Sequence, residues 1–149
     1  MIDLPDYSQI LTGTQPISRE EFDRWHEESA VQILARSPEM GIGWSTKLIN
    51  MYLKTLVYVG QIGRPGLPEC IHPPIDGGLW DGIKEKYQAN AAIMEKTHSV
   101  SRIKEINNYQ QYQTILEGIE VVAKDRNCSL LEVEQLWKGT EFKTKQLIP

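Results

Sequence analysis

Residues 44–59 read WSTKLINMYLKTLVYV, a run that is apolar almost all the way round and holds neither proline nor glycine. A helix that is hydrophobic on every side belongs inside a domain. The stretch therefore predicts a buried central helix with Trp44 as a core anchor, whose truncation to alanine costs about 3–5 kcal/mol. Its one polar stripe is Lys47, Asn50 and Lys54, spaced i, i+3 and i+7 on a single face. That stripe is either a solvated edge or the wall of a polar pocket; lysine is rarely buried without a partner, which favours the edge.

Upstream, Ser18 and Glu21 form a capping box, with Ile17 and Phe22 placed as a hydrophobic staple. Phe22, Trp25, Ala30, Ile33 and Leu34 then recur at helical spacing until Pro38 forbids continuation, which predicts a helix over 19–37. His26 with Glu27 and Glu28 reads as a solvated helix face, since no second histidine stands at metal spacing. Residues 1–17, with Pro5, Gly13 and Pro16, read as an irregular arm. Gly41-Ile42-Gly43 reads as a tight turn between the first two helices.

Downstream, residues 60–78 read GQIGRPGLPECIHPPIDGG, too rich in glycine and proline for long regular structure. Long loops of this kind often carry function. Asp76 stands where it can cap a third helix, carried by Leu79, Trp80, Ile83, Tyr87, Ala91 and Met94 to about residue 96. A fourth helix opens at Ser101 and keeps the 3.6 period to about residue 124. A second capping box, Ser129 with Glu132, starts a short fifth helix that Gly139 ends. The expected fold is all-α: one compact domain of about five helices over 18–139, with one long Gly/Pro-rich loop, an arm at 1–17 and a coil tail at 140–149.

The charge balance narrows the function classes. Sixteen Lys and Arg against twenty Asp and Glu leave a net charge of −4, which argues against a generic electrostatic grip on nucleic acid or anionic membrane. No stretch is apolar enough to span a membrane and the N-terminus carries no secretory pattern, so a cytoplasmic location is expected. Cys70 and Cys128 have no CxxC spacing and no clustered histidine. They read as reduced, buried thiols, and no metal or cofactor is expected.

Three constellations could carry chemistry or contact. Gly41 and Gly43 could expose backbone N–H groups to a phosphate, or could serve only turn geometry. Pro73 and Pro74 stiffen the approach to Asp76 and bias His72 toward extended backbone; near Lys47, a carboxylate so placed could act as a base beside a nucleophilic amine, or it could be a helix cap alone. Tyr109 and Tyr112, set among amides in the fourth helix, suit an interface, or the core with their hydroxyls at its rim. Asn50, Lys54, Arg64 and Trp80 complete the candidate binding residues.

The order Gly41-Ile42-Gly43, Lys47, then Pro74-Ile75-Asp76 with Leu79 and Trp80 resembles the helix-hairpin-helix DNA glycosylase superfamily over about residues 41–83. The resemblance implies a hairpin that grips DNA phosphate, an imine-forming Lys47 and an assisting Asp76. Here the lysine stands four positions after Gly43 where the lyase pattern has two. Two functions are thus expected: a non-enzymatic helical domain that binds a protein partner through the 60–76 loop and the polar face of the fourth helix, or a small glycosylase-like DNA-binding protein that retains or has lost lyase activity.

Overall fold

The computed structural model describes residues 5–139. All the regular structure among them is helical. In chain order the α-helices are α1 (Ser8–Leu11), α2 (Arg19–Arg36), α3 (Gly41–Leu53), α4 (Leu67–Cys70), α5 (Gly77–Tyr87), α6 (Ala91–Thr97) and α7 (Tyr109–Asp125). Short 3-10 turns lie at Pro38–Met40, Ile103–Glu105 and Leu131–Leu136, and α3 runs on as a π-helix over Lys54–Val59. The tail expected at 140–149 and the first four residues of the arm lie outside the described residues.

The start of α2 is built as its sequence predicts. Ser18 Oγ accepts from the Glu21 N–H at 3.1 Å, and Ile17 and Phe22 are buried beside it. The Glu21 carboxylate also accepts from Arg64 Nη1 at 2.7 Å. Gly41 and Gly43 are not a tight turn between helices but the first turn of α3. Gly41 has φ +73°, a left-handed conformation that glycine adopts without strain. Gly43 is buried, and a Cβ on it would collide with the Ile103 carbonyl. Close backbone packing therefore accounts for the second glycine.

The helix expected from Asp76 to residue 96 is two helices. Asn90 breaks it, its side chain accepting from the Ile93 N–H at 3.1 Å to cap α6. The fourth helix begins later than expected, at Tyr109, and the Asn108 side chain caps it through the Gln111 N–H at 2.9 Å. Ser129 and Glu132 do bond reciprocally, but they open a 3-10 turn that ends at Leu136, before Gly139. The loop after residue 60 contains α4, and its second half, Ile71 to Ile75, is buried. The arm holds α1, whose Ile10 is also buried.

Three packing relations frame the core. α2 lies along α3, α6 along α7, and α5 bridges α6 and the Leu131–Leu136 turn. Phe22, Ile49, Leu53, Leu79, Ile83 and Ile115 fill the space between these layers. At roughly 1.5–3 kcal/mol for each buried large side chain, this burial is the main favourable contribution to folding.

Candidate functional site

α3 is turned the opposite way from its sequence reading. Its inward face carries Ser45, Thr46 and Asn50, all buried, beside Ile42, Ile49 and Leu53. Its outward face carries Trp44, Leu48, Met51 and Tyr52, and the π-helix continues it with Tyr58 and Val59; these six are 44–71% exposed. Trp44 is thus not a core anchor, and the central helix is not buried all round.

Polar groups enter the core here because each finds a partner. His26 Nε2 lies 2.8 Å from Asn50 Oδ1, and His26 Nδ1 lies 2.7 Å from the Tyr109 hydroxyl. An amide oxygen only accepts, so His26 Nε2–H is the donor and Nδ1 receives the Tyr109 proton. The Asn50 amide donates to the Pro73 carbonyl at 3.2 Å and to the Tyr112 hydroxyl at 3.0 Å. Tyr112 in turn donates to His72 Nδ1 at 2.8 Å, and His72 Nε2–H donates to Asp23 Oδ1 at 3.0 Å. Arg19 closes the chain, giving Nε–H to Asp23 at 2.8 Å and Nη2–H to Glu120 at 2.6 Å. Every proton has one consistent place, with both imidazoles neutral. No buried side-chain polar atom among the described residues lacks a partner.

The electrostatics agree with that proton assignment. Burial holds the His26 imidazole well below its ordinary range, with the neighbouring His72 adding to the shift, and burial lowers His72 as well. Burial also pushes the Tyr109 and Tyr112 hydroxyls upward. Burial alone would raise the Asp23 carboxyl, but hydrogen bonds from His72 and Arg19 outweigh it and bring it below the usual range. The network runs from the buried His26, Asn50, Tyr109, Tyr112 and His72 to the partly exposed Asp23, Arg19 and Glu120 at the surface.

Several residues expected to bind are therefore core. Asn50, His72, Tyr109 and Tyr112 are buried in the network, and His26 is interior rather than on a solvated face. Trp80 is buried, its indole N–H donating to the Thr97 carbonyl at 2.6 Å. Arg64 is occupied by the backbone carbonyls of Gln9, Gln15 and Pro16 and by Glu21, fastening the arm to the loop. Lys54 pairs with Glu134 at 2.7 Å. Gly43 turns its hydrogens to Ile103 rather than to solvent.

Lys47 and Asp76 do meet, although 29 positions separate them. Lys47 Nζ lies 3.8 Å from Asp76 Oδ2 and 5.0 Å from the centre of the Trp44 ring. Asp76 also caps α5, its Oδ1 accepting from the Leu79 N–H at 3.1 Å and from Trp137 Nε1–H at 2.9 Å. Asp76, but not Lys47, lines a shallow depression with Gly77, Gly78, Asp81 and Trp137. Trp137 and Glu134 were not singled out by sequence reasoning, since nothing local links the last helical turn to α3. Among the described residues no group of His, Cys, Asp or Glu is arranged to hold a metal, and no helix is long and apolar enough to cross a membrane. Comparison with family models, curated proteins and solved structures finds no match.

Proposed function

We propose that the chain is a non-enzymatic binding domain whose contact surface is the outward ridge of α3 and its π-helical extension. The observation that carries this reading is the ridge itself: Trp44, Leu48, Met51, Tyr52, Tyr58 and Val59 are exposed in sequence-contiguous turns. A contiguous apolar patch of this kind marks an interaction site more often than an isolated exposed leucine does. Aromatic residues and methionine are also the types enriched at protein interfaces. Of the surface expected in the 60–76 loop and on α7, His72, Tyr109 and Tyr112 are interior, whereas residues 60–66 and the Gln110 and Gln113 face are largely exposed; the apolar character of the α3 ridge favours it as the contact surface. Cys70 and Cys128 form no disulfide, which suits a reducing compartment such as the cytoplasm. The test is a photo-cross-linking amino acid in place of Leu48, with a control at exposed Glu20. Adducts formed in cells from position 48 and absent from position 20 support the reading; no adduct at position 48 sinks it.

The glycosylase-like alternative stands on the 3.8 Å approach of Lys47 Nζ to Asp76 Oδ2, Asp76 itself lining a surface depression. In that reading Lys47, having given up a proton, attacks C1′ of an abasic sugar, water leaves, and an imine forms. The arrangement also supports a simpler role, a cap and ion pair that ties α3 to α5. Borohydride trapping on a duplex with one abasic site separates them. A covalent adduct lost in Lys47→Ala supports lyase chemistry, and its absence, with no preference for the abasic duplex at low salt, removes it.

A further inference from the structure

We propose that the groove running past Tyr58 and Trp137 is a docking site for an extended, arginine-bearing segment of another protein. Three depressions follow one another there, of about 440, 350 and 650 Å³. Ile62, Pro65 and Glu69 help to line the first, Leu131 and Glu132 the second, and Asp81 the third. Tyr58 belongs to the wall of both the first and the second, and Trp137 to that of both the second and the third. Both rings are about half exposed. Hollows parted by aromatic rings suit an extended chain, whose alternate side chains leave the backbone on one side. The groove shares only Tyr58 with the α3 ridge, so the two surfaces can be tested apart.

Charge selects the occupant. Each cation of the groove wall is already matched by a carboxylate: Arg64 by Glu21, Lys54 by Glu134 and Lys138 by Glu85. Glu69, Glu132 and Asp81, one in each depression, form no ion pair among the described residues. The Glu132 carboxylate accepts from Ser129, which is neutral. Every depression thus sets an uncompensated negative charge near an aromatic ring. A guanidinium answers both at once, giving N–H bonds to the carboxylate and laying its plane on the ring. An ammonium lacks that plane, and a phosphate is repelled.

The backbone around Tyr58 is unusual in the same place. The Gly60 N–H bonds the Thr55 carbonyl, five residues back, at 2.9 Å. Such π turns are rare and gather at functional sites. Gln61 has φ +54° just past the helix end, a position where glycine is the usual and unstrained residue. Its side chain lines the first depression. Strain of this kind clusters where a chain grips a ligand.

Fluorescence anisotropy with a labelled peptide of alternating arginine and proline tests the assignment, proline holding the probe extended. Peptides with lysine or glutamate in place of arginine serve as comparisons. The full chain is expected to bind the arginine peptide in a salt-sensitive way, the lysine peptide at least ~3-fold more weakly, and the glutamate peptide not at all. Tyr58→Ala is expected to weaken binding at least ~10-fold, and so is Glu69→Gln combined with Asp81→Asn. Glu20→Gln with Glu27→Gln removes the same charge from the exposed face of α2 and is expected to change it less than ~2-fold. The replaced side chains are exposed, so each variant is expected to melt with the wild type, and the charge pair keeps the test decisive if Tyr58→Ala unfolds. Absent binding of the arginine peptide, equal binding of the lysine peptide, or a loss as large from the α2 pair as from the groove pair overturns the proposal. None of these results touches the ridge reading, which stands or falls on the adducts from position 48.

Discussion

The two faces of α3 invert the usual arrangement. The inner face holds Asn50 within hydrogen-bond reach of His26, Tyr112 and the Pro73 carbonyl, while the outer face shows Trp44, Leu48 and Met51 to solvent. Burying an amide costs free energy unless its donors and acceptor are paired, and here all of them are. Exposing tryptophan, leucine and methionine forgoes burial that the same helix could have claimed. The inner face has a folding reason for its composition; on the outer face, among the described residues, Tyr52 meets the Tyr7 ring and Trp44 lies under Lys47, while Leu48 and Met51 stay about half exposed. That difference is what gives the outer face its functional interest.

Substitutions can break the comparison from the inside first. Tyr112→Phe leaves the Asn50 amide and the His72 imidazole each short of a partner in the core, and is expected to cost about 2–4 kcal/mol in urea melts. A loss below ~1 kcal/mol would mean that the network is not held as described. Acid probes the same face without mutation. His26 and His72 have folded-state pKa values below their ordinary range, so the unfolded chain binds more protons than the folded one. Stability is then fully present above the unfolded histidine pKa of about 6.5, and falls below it by up to ~1.4 kcal/mol per pH unit for each imidazole. Thermal melts between pH 7 and pH 5 that show no decline would contradict the neutral assignment. Asp23 adds a loss only at lower pH, through the carboxylate range, because its pKa is depressed.

The outer face is expected to respond weakly. Trp44→Ala should cost less than ~1 kcal/mol in the monomer, against the 3–5 kcal/mol that a core tryptophan would cost. What it removes is partial burial and the stacking of Lys47 over the ring. A loss of several kcal/mol would return Trp44 to the core. Smallest of all is Lys47→Met, within about 0.5 kcal/mol, since a partly exposed ion pair contributes little. A larger loss would show that the pair is a principal tie between α3 and α5.

How much of this was legible beforehand depends on the range of each signal. The start of α2 was readable because Ser18, Glu21, Ile17 and Phe22 act within one turn. The Asp76 cap was readable for the same reason. The break at Asn90 was hidden because the apolar period runs through it, and only the cap bond to Ile93 exposes it. The direction of α3 was not readable at all. A run apolar on every side does not say which face is covered, and the partners that draw Asn50 inward lie at positions 26, 73 and 112. His26 was misplaced for the same reason: glutamates flank it in sequence, but the residues that satisfy its ring come from α3 and α7. The meeting of Lys47 with Asp76 was anticipated as chemistry, whereas the third member of that contact, Trp137, came from a turn with no local link to either.

The most direct test of the inverted helix is one pair of urea midpoints, Asn50→Leu beside Leu48→Asn. An ordinary amphipathic helix with its apolar side inward would gain stability from the first and lose it from the second. The inverted arrangement predicts the reverse. Asn50→Leu should lose about 3 kcal/mol or more, because the His26 Nε2–H and the Pro73 carbonyl lose their Asn50 partner and the Tyr112 hydroxyl loses its donor in the core, and Leu48→Asn should stay within about 0.5 kcal/mol of wild type in the monomer. A stabilised Asn50→Leu together with a strongly destabilised Leu48→Asn would contradict the account.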